Sequence, residues 1–558
     1  MISIDHLQGA SGNLVRGMFT GENGNTSVSG DYHTNFTAGE GSDESTVTTV
    51  GVSSGYVAHY NEDGGLEFLL GLASSKYGNV QTVYVDEANA TYATGDYAGV
   101  MELNPLGESL EITSTGFSAL VSSSDPFLAK YDSLGSLEWH VSPVESGDGY
   151  GNVIVPSSTE SIVWAGRYNG YMQFEYEGET IFYPDPGNAS DAFIFEVDSI
   201  GEITKHIRVA GDGVMIVDKG CYDSDGNLYL TGFVQGLVDV ETPGEVYTID
   251  TETMNMKFFI IQLLPDWSIG WHMTSEGESG YGRGIAVNSE GDLVFSGYFS
   301  GEEYFSSSDG TNTDTIVSAG IRDIFMGKFT TTGSLLEVHS IGGPYDDFLH
   351  SMLLDEDDQL YLAGSFKNTL DFDPSEDSSI IVSGVWAPSL FVAKYTSEFN
   401  IGWVYHTASG VSFGESASGV GILNDGLMIA GDFSFIVDFN PNGIAEELTS
   451  TSGTDGYLVK ITNPEIAVSI EELVIWHFDI YPNPTKGQIT ISVDKEINAD
   501  RITIYDLLGK EVYKKAIHTL LPGVPYVVEL PELSPAMYII AVEGDGSSTR
   551  NFIVSDSN

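Results

Sequence analysis

Basic residues are scarce in this chain: 21 lysines and arginines stand against 81 aspartates and glutamates in 558 residues, a formal net charge of -60. Such a surface repels nucleic acid and anionic lipid, so neither is expected as a partner. Residues 471–558 hold 7 basic and 13 acidic residues, which leaves 14 and 68, a net charge of -54, for the rest. Self-repulsion on that scale disfavours compaction unless salt or divalent cations screen it, and predicts a saline or calcium-containing exterior.

Cysteine is nearly absent. Cys221 stands alone, which excludes an intramolecular disulfide and a metal site built from several thiolates, and is read as a small core residue. No run approaches the ~20 continuous apolar residues of a spanning helix, so no transmembrane segment is expected. The opening MISIDHLQGASG has neither a basic n-region nor an apolar h-region, so no signal peptide is read in it. The chain is then expected to be either cytosolic or to begin after a removed leader.

Aromatic and β-branched residues, in contrast, are plentiful, with 29 Tyr and 28 Phe. That content argues against the disorder a high net charge would otherwise suggest. A strand of the form aromatic-x-x-polar-apolar recurs from Tyr56, Phe127, Phe193, Phe259, Phe325, Phe391 and Tyr457, spaced by 71 and then five times by 66 residues. A second strand ends on Gly30, Gly95, Gly166, Gly232, Gly297, Gly364 and Gly431. Both motifs count seven units.

One unit reads RGIAVNS, turn EG, DLVFSGYFSG, variable loop, DIFMGKF, turn TTG, SLLEVHS: four strands with hairpin turns, a propeller blade. The glycine lets backbone or a bulky ring approach closely. The phasing puts innermost strands near 13–19, 79–86, 150–156, 214–221, 283–288, 348–354 and 417–423, and lets ISIDHL add an outer strand to the last blade. A β-helix is the rival, but its coils are shorter than 66 residues and it needs atypical caps. The expectation is an all-β chain: a seven-bladed β-propeller of four-stranded blades over 1–470, then a small immunoglobulin-like β-sandwich over 471–558.

The units resemble the seven-bladed repeats of large bacterial surface proteins, particularly the form with DFDP after the glycine strand, here LDFDP at Leu370–Pro374 and VDFNP at Val437–Pro441. After the repeat stops, Tyr481-Pro482-Asn483-Pro484 with Gly487, then Asp506-Leu507-Leu508-Gly509-Lys510, then Leu533 to Tyr538 with Arg550 follow in order. This segment resembles the type A sorting domain of the type IX secretion system of Bacteroidetes. Where that family has glycine before the closing tyrosine, this chain has Pro535-Ala536. The resemblance implies export to the surface or the medium, the secretion machinery as partner, and Tyr481, Pro482, Asn483, Pro484, Gly487, Asp506, Gly509 and Tyr538 as sorting residues.

Chemistry is harder to find. Carboxylates cluster at Asp371, Asp373, Glu376 and Asp377, at Asp223 and Asp225, and at Asp355 to Asp358. Hard oxygen ligands suit calcium, yet none continues into a twelve-residue calcium loop, and most coincide with expected hairpin turns. His140, His206 and His272 recur at the period but fall on outermost strands of successive blades, too far apart to share an ion. Trp139, Trp271 and Trp403 are read as inter-blade packing. GxSxG, HExxH and a phosphate loop are all missing. Three functions stay open: a surface binding or adhesion protein for a glycan or protein, a polysaccharide hydrolase or lyase, and a structural surface-layer component. A deep pocket lined by carboxylates or histidines from different blades would favour the enzyme; a flat or plugged mouth would favour binding.

Overall fold

The computed structural model describes residues 2–9, 11–115, 123–157, 160–184, 190–374, 380–382, 388–409, 415–440, 446–462, 478–493, 499–505, 511–531, 533–544 and 547–554. Two compact units divide the chain: Met1–Ser378 with Val382–Ser469, and Ile470–Asn558 with Ser379–Ile381.

In the first unit the described strands form seven sets of four antiparallel strands. We number these blades by their innermost strands: Asn13–Thr20, Tyr77–Val85, Glu145–Pro156, Val214–Tyr222, Glu276–Val287, Phe348–Leu354 and Glu415–Leu423. Each innermost strand lies against those of the blades before and after it, the seventh against the first. This is the β-propeller arrangement. Blade 7 takes its fourth strand from the N-terminus: Ile2–Gly9 pairs antiparallel with Glu447–Thr462, Ile4 opposite Val459 and His6 opposite Tyr457. His6 Nε2 also meets Asp455 Oδ2 at 3.0 Å. Pairing of the two ends of the unit covers the edge of Glu447–Thr462 that would otherwise remain open.

The two sequence motifs turn out to be one element. In every blade the glycine of the second strand pairs directly with the leading aromatic of the third: Gly30 with Tyr56, Gly95 with Phe127, Gly166 with Phe193, Gly232 with Phe259, Gly297 with Phe325, Gly364 with Phe391 and Gly431 with Tyr457. All seven aromatics are buried. Filling such a site contributes on the order of 1.5–3 kcal/mol per ring from area alone.

Several acidic residues cap hairpin turns. Asp223 accepts the backbone N–H of Asp225 and Asn227, both at 2.9 Å; Asp355 accepts those of Asp357 and Gln359 at 3.0 and 2.7 Å. Aspartate is favoured there because its short carboxylate reaches amides two and four residues on. Tryptophans tie blade to blade: Trp139 Nε1 donates to Ser199 O at 3.0 Å and Trp271 Nε1 to Thr331 O at 2.9 Å.

In the second unit a three-stranded sheet (Phe478–Tyr481, Gln488–Val493, Tyr526–Glu529) and a four-stranded sheet (Glu511–Ala516, Ala499–Tyr505, Ala536–Gly544, Ser547–Val554) share one core. Ile489, Ile491, Ile502, Ile504, Val528 and Ile540 alternate inward to build it, as a β-sandwich requires.

Candidate functional site: the central channel

A cavity of about 540 Å³ runs among the innermost strands of all seven blades, within the range of small-ligand sites. Its polar ring comes from a feature repeated seven times. Each innermost strand carries a β-bulge one residue past the position that faces the repeat glycine. The extra residues are Arg16, Gln81, Asn152, Asp218, Arg283, His350 and Ser418, and every one lines the cavity. A bulge breaks the alternation of a strand and re-aims a side chain. The glycine is required by the same device: a Cβ on Gly30, Gly297 or Gly431 would overlap the carbonyl oxygen of Leu14, Tyr281 or Ser416 on the bulged strand.

Charge in the ring is largely paired within the protein. Arg283 Nη1 donates to Asp218 Oδ2 of the preceding blade at 2.7 Å, and its Nε to Leu349 O of the following one at 3.3 Å. Arg16 Nε meets Asp31 Oδ1 at 2.5 Å. Ser418 Oγ donates to Val15 O at 2.9 Å, and Val15 N–H to Asp432 Oδ1 at 2.6 Å, joining blade 7 to blade 1. Burial, reinforced by Asp31, pushes the Asp432 carboxyl up to about 8. Asp96, buried and accepting from Asn79 Nδ2 at 2.7 Å, is pushed up by burial to about 7. His350 is held neutral: burial first, then Arg283, lowers its pKa to about 3. Past the ring the wall turns apolar, with Met18, Ile154, Ile285, Met352 and Val420.

The residues expected from the sequence sit elsewhere. Both oxygens of Asp223 are occupied, one by the two amides and the other by Asn227 Nδ2 at 2.7 Å and Tyr229 OH at 2.8 Å, while Asp225 is an exposed turn residue. Asp371 Oδ1 accepts the Asp373 N–H at 3.1 Å; Asp377 lies outside the described residues. Among the described residues no group of three metal-binding side chains converges. His140, His206 and His272 occupy the fourth strands of blades 2, 3 and 4, and His206 and His272 accept or donate through Nδ1 to Tyr183 OH and Tyr247 OH at 2.8 and 3.0 Å. Of the sorting residues, Tyr481 is exposed, Gly487 adopts φ +146° beside the Thr485 turn, and Tyr538 is buried with its hydroxyl donating to Ser534 O at 3.0 Å. Pro482 and Pro484 follow cis peptide bonds. Asp506 and Gly509 lie outside the described residues.

Sequence reasoning missed the polar ring. A signal was available: six of its members stand 14 positions before the repeat glycine, from Arg16 before Gly30 to His350 before Gly364, and Ser418 stands 13 before Gly431.

The molecule is thus a β-propeller followed by a small β-sandwich. Residues 479–555 match the family described as the secretion system C-terminal sorting domain, so the chain carries an export signal of the type IX route used by Bacteroidetes and is a secreted or cell-surface protein. An uncharacterized WD repeat-containing protein of Acanthamoeba polyphaga mimivirus is 24% identical over 335 residues, 51% of this chain and 24% of that protein, so the chain spans about a quarter of its relative's length. Among solved structures, the extracellular domain of the one-component-system protein BT4673 of B. thetaiotaomicron is similar at 10% identity over 99% of this chain and 97% of that one, with a TM-score of 0.18. At that score the likeness carries no argument. Among the described residues no helix is long and apolar enough to cross a membrane.

Proposed function

We propose that this is a surface or secreted binding protein in which residues 1–470 form a seven-bladed ligand-binding propeller and residues 471–558 address it to the type IX machinery. The observation that carries the reading is the ring of seven bulged polar residues around a cavity of about 540 Å³. Seven different blades present six residue types at one equivalent position, as expected where a site rather than the fold selects the side chain. Adhesion to an extracellular glycan or protein follows if the occupant is part of a larger molecule.

The test is binding of the full chain to a broad glycan array with and without calcium. Saturable binding supports the reading, and dependence on calcium would direct attention to Asp225, Asp371, Asp373 and Asp377 rather than to Asp223, both of whose oxygens are occupied. Absence of binding in both conditions removes the carbohydrate form of the proposal and moves the search to protein partners.

One observation favours a second reading, a polysaccharide hydrolase or lyase. Asp218, His350 and Asp432 reach the cavity from three blades, and a carboxyl held near 8, as Asp432 is, keeps its proton at neutral pH as a general acid must. Release of reducing ends by the full chain, abolished in Asp432→Asn, would establish it.

A further inference from the structure

The repeat is broken at one place in the channel wall. The residue that follows the bulge is glycine, serine, threonine or valine in six blades and Lys219 in blade 4. Lys219 is half-buried and lines the cavity. Among the described residues it makes no hydrogen bond, ion pair or ring contact, whereas every other lysine and arginine of residues 1–470 has a partner. Its neighbouring carboxylate, Asp218, is already bonded to Arg283 at 2.7 Å. In a chain with 81 acidic residues, a lysine with no carboxylate, carbonyl or aromatic ring as partner stands out.

Leaving an ammonium half-buried and unpaired costs stability, and six blades show that the fold accepts a small neutral residue there. Retained charge at the expense of stability marks a site. Arg283, one blade on, places a second cation beside it in the wall, and the next level of the channel is apolar.

We propose that Lys219 receives the carboxylate of a small acid seated in the central channel, with Arg283 beside it and the ligand body against Met18, Ile154, Ile285 and Met352. This inference rests on the reading of the channel as a binding site. Burial first, with Arg283 acting against Asp218, holds the Lys219 ammonium below the usual lysine range; a bound carboxylate would relieve that.

The experiment is calorimetric titration of the full chain with galacturonate and with phenylacetate, a sugar acid and an aromatic acid, each against its neutral counterpart, galactose or phenylacetamide. One acid is expected to bind at least about tenfold more tightly than its counterpart, as loss of a charged hydrogen bond implies. Lys219→Met should remove that preference, Lys219→Arg should keep it, and Lys219→Met should melt no lower than the parent. The proposal is overturned if neither acid binds, if Lys219→Met binds the acid as the parent does, or if Lys219→Met melts well below the parent, which would mark a structural lysine. Binding on the glycan array together with failure of both acids to bind would overturn this inference while leaving the binding reading intact.

Discussion

Phe325 lies directly across the strand pair from Gly297, and on its other side Gly297 faces Gly282, the last residue before the bulge at Arg283. One glycine therefore serves two neighbours: the aromatic ring that fills the blade core and the inner-strand carbonyl that the bulge pushes toward it. A Cβ at Gly297 would overlap both Tyr281 O and the Phe325 ring.

Gly297→Ala is accordingly expected to destabilise the propeller by about 1–3 kcal/mol, the cost of overpacking a filled interior. Gly244, with open space around its Cα, is the control: Gly244→Ala should stay within about 0.5 kcal/mol. Chemical denaturation of both variants measures the difference.

The N-terminal strand should matter as much as any in the core. Leu7 is fully buried in the strand that completes blade 7, so Leu7→Ala should cost about 2–5 kcal/mol. A variant lacking residues 2–9 should melt at a markedly lower temperature, because it exposes the edge of Glu447–Thr462.

Stability should rise as pH falls from 8 to 6.5. Burial raises Asp96 and Glu303 to about 7 and Asp347 and Asp432 to about 8. In that window the folded state binds protons that the unfolded carboxylates, near 4, do not, so protonation favours folding. Below 6.5 the sign opposes: burial lowers His59 to about 4 and His350 to about 3, and the unfolded chain takes up their protons first. Two histidines offset only about half of four carboxylates, so melting temperatures should go on rising from pH 8 towards 5, less steeply below 6.5, and Asp432→Asn should flatten the limb between 8 and 6.5.

Much of this architecture was legible in the sequence because it repeats. The aromatic and glycine positions recur in type as well as spacing, and the inner strands overlap where that phasing put them, closely for Val214–Tyr222 against 214–221, less so for Glu276–Val287 against 283–288. The ring was not legible by type, since Arg16, Gln81, Asn152, Asp218, Arg283, His350 and Ser418 share no chemistry. A bulge inserts a single residue, which looks like a fault in alternation rather than a motif. Partnerships across the closure were equally hidden: Asp432 bonds Val15 across 417 residues of sequence. The acidic clusters coincide with hairpin turns as the sequence implied, and Asp223 and Asp355 accept hairpin amides.

Passage across the outer membrane should require the tail. Removal of residues 479–555, the segment that matches the sorting domain, should leave a folded propeller retained inside the cell, detectable by fractionation of a Bacteroidetes host. The same tail fused to an unrelated reporter that is already directed to the periplasm should carry it out.

The most direct test of the account is to plug the channel without touching the outer surface. Gln81 is the bulged residue that lines the cavity on blade 2, and Gln81→Trp puts an indole at that position of the ring. Ligand found on the array should then lose measurable binding to a variant whose melting and secretion match the parent. Undiminished binding by that folded variant would contradict the account and move the site to the outer loops.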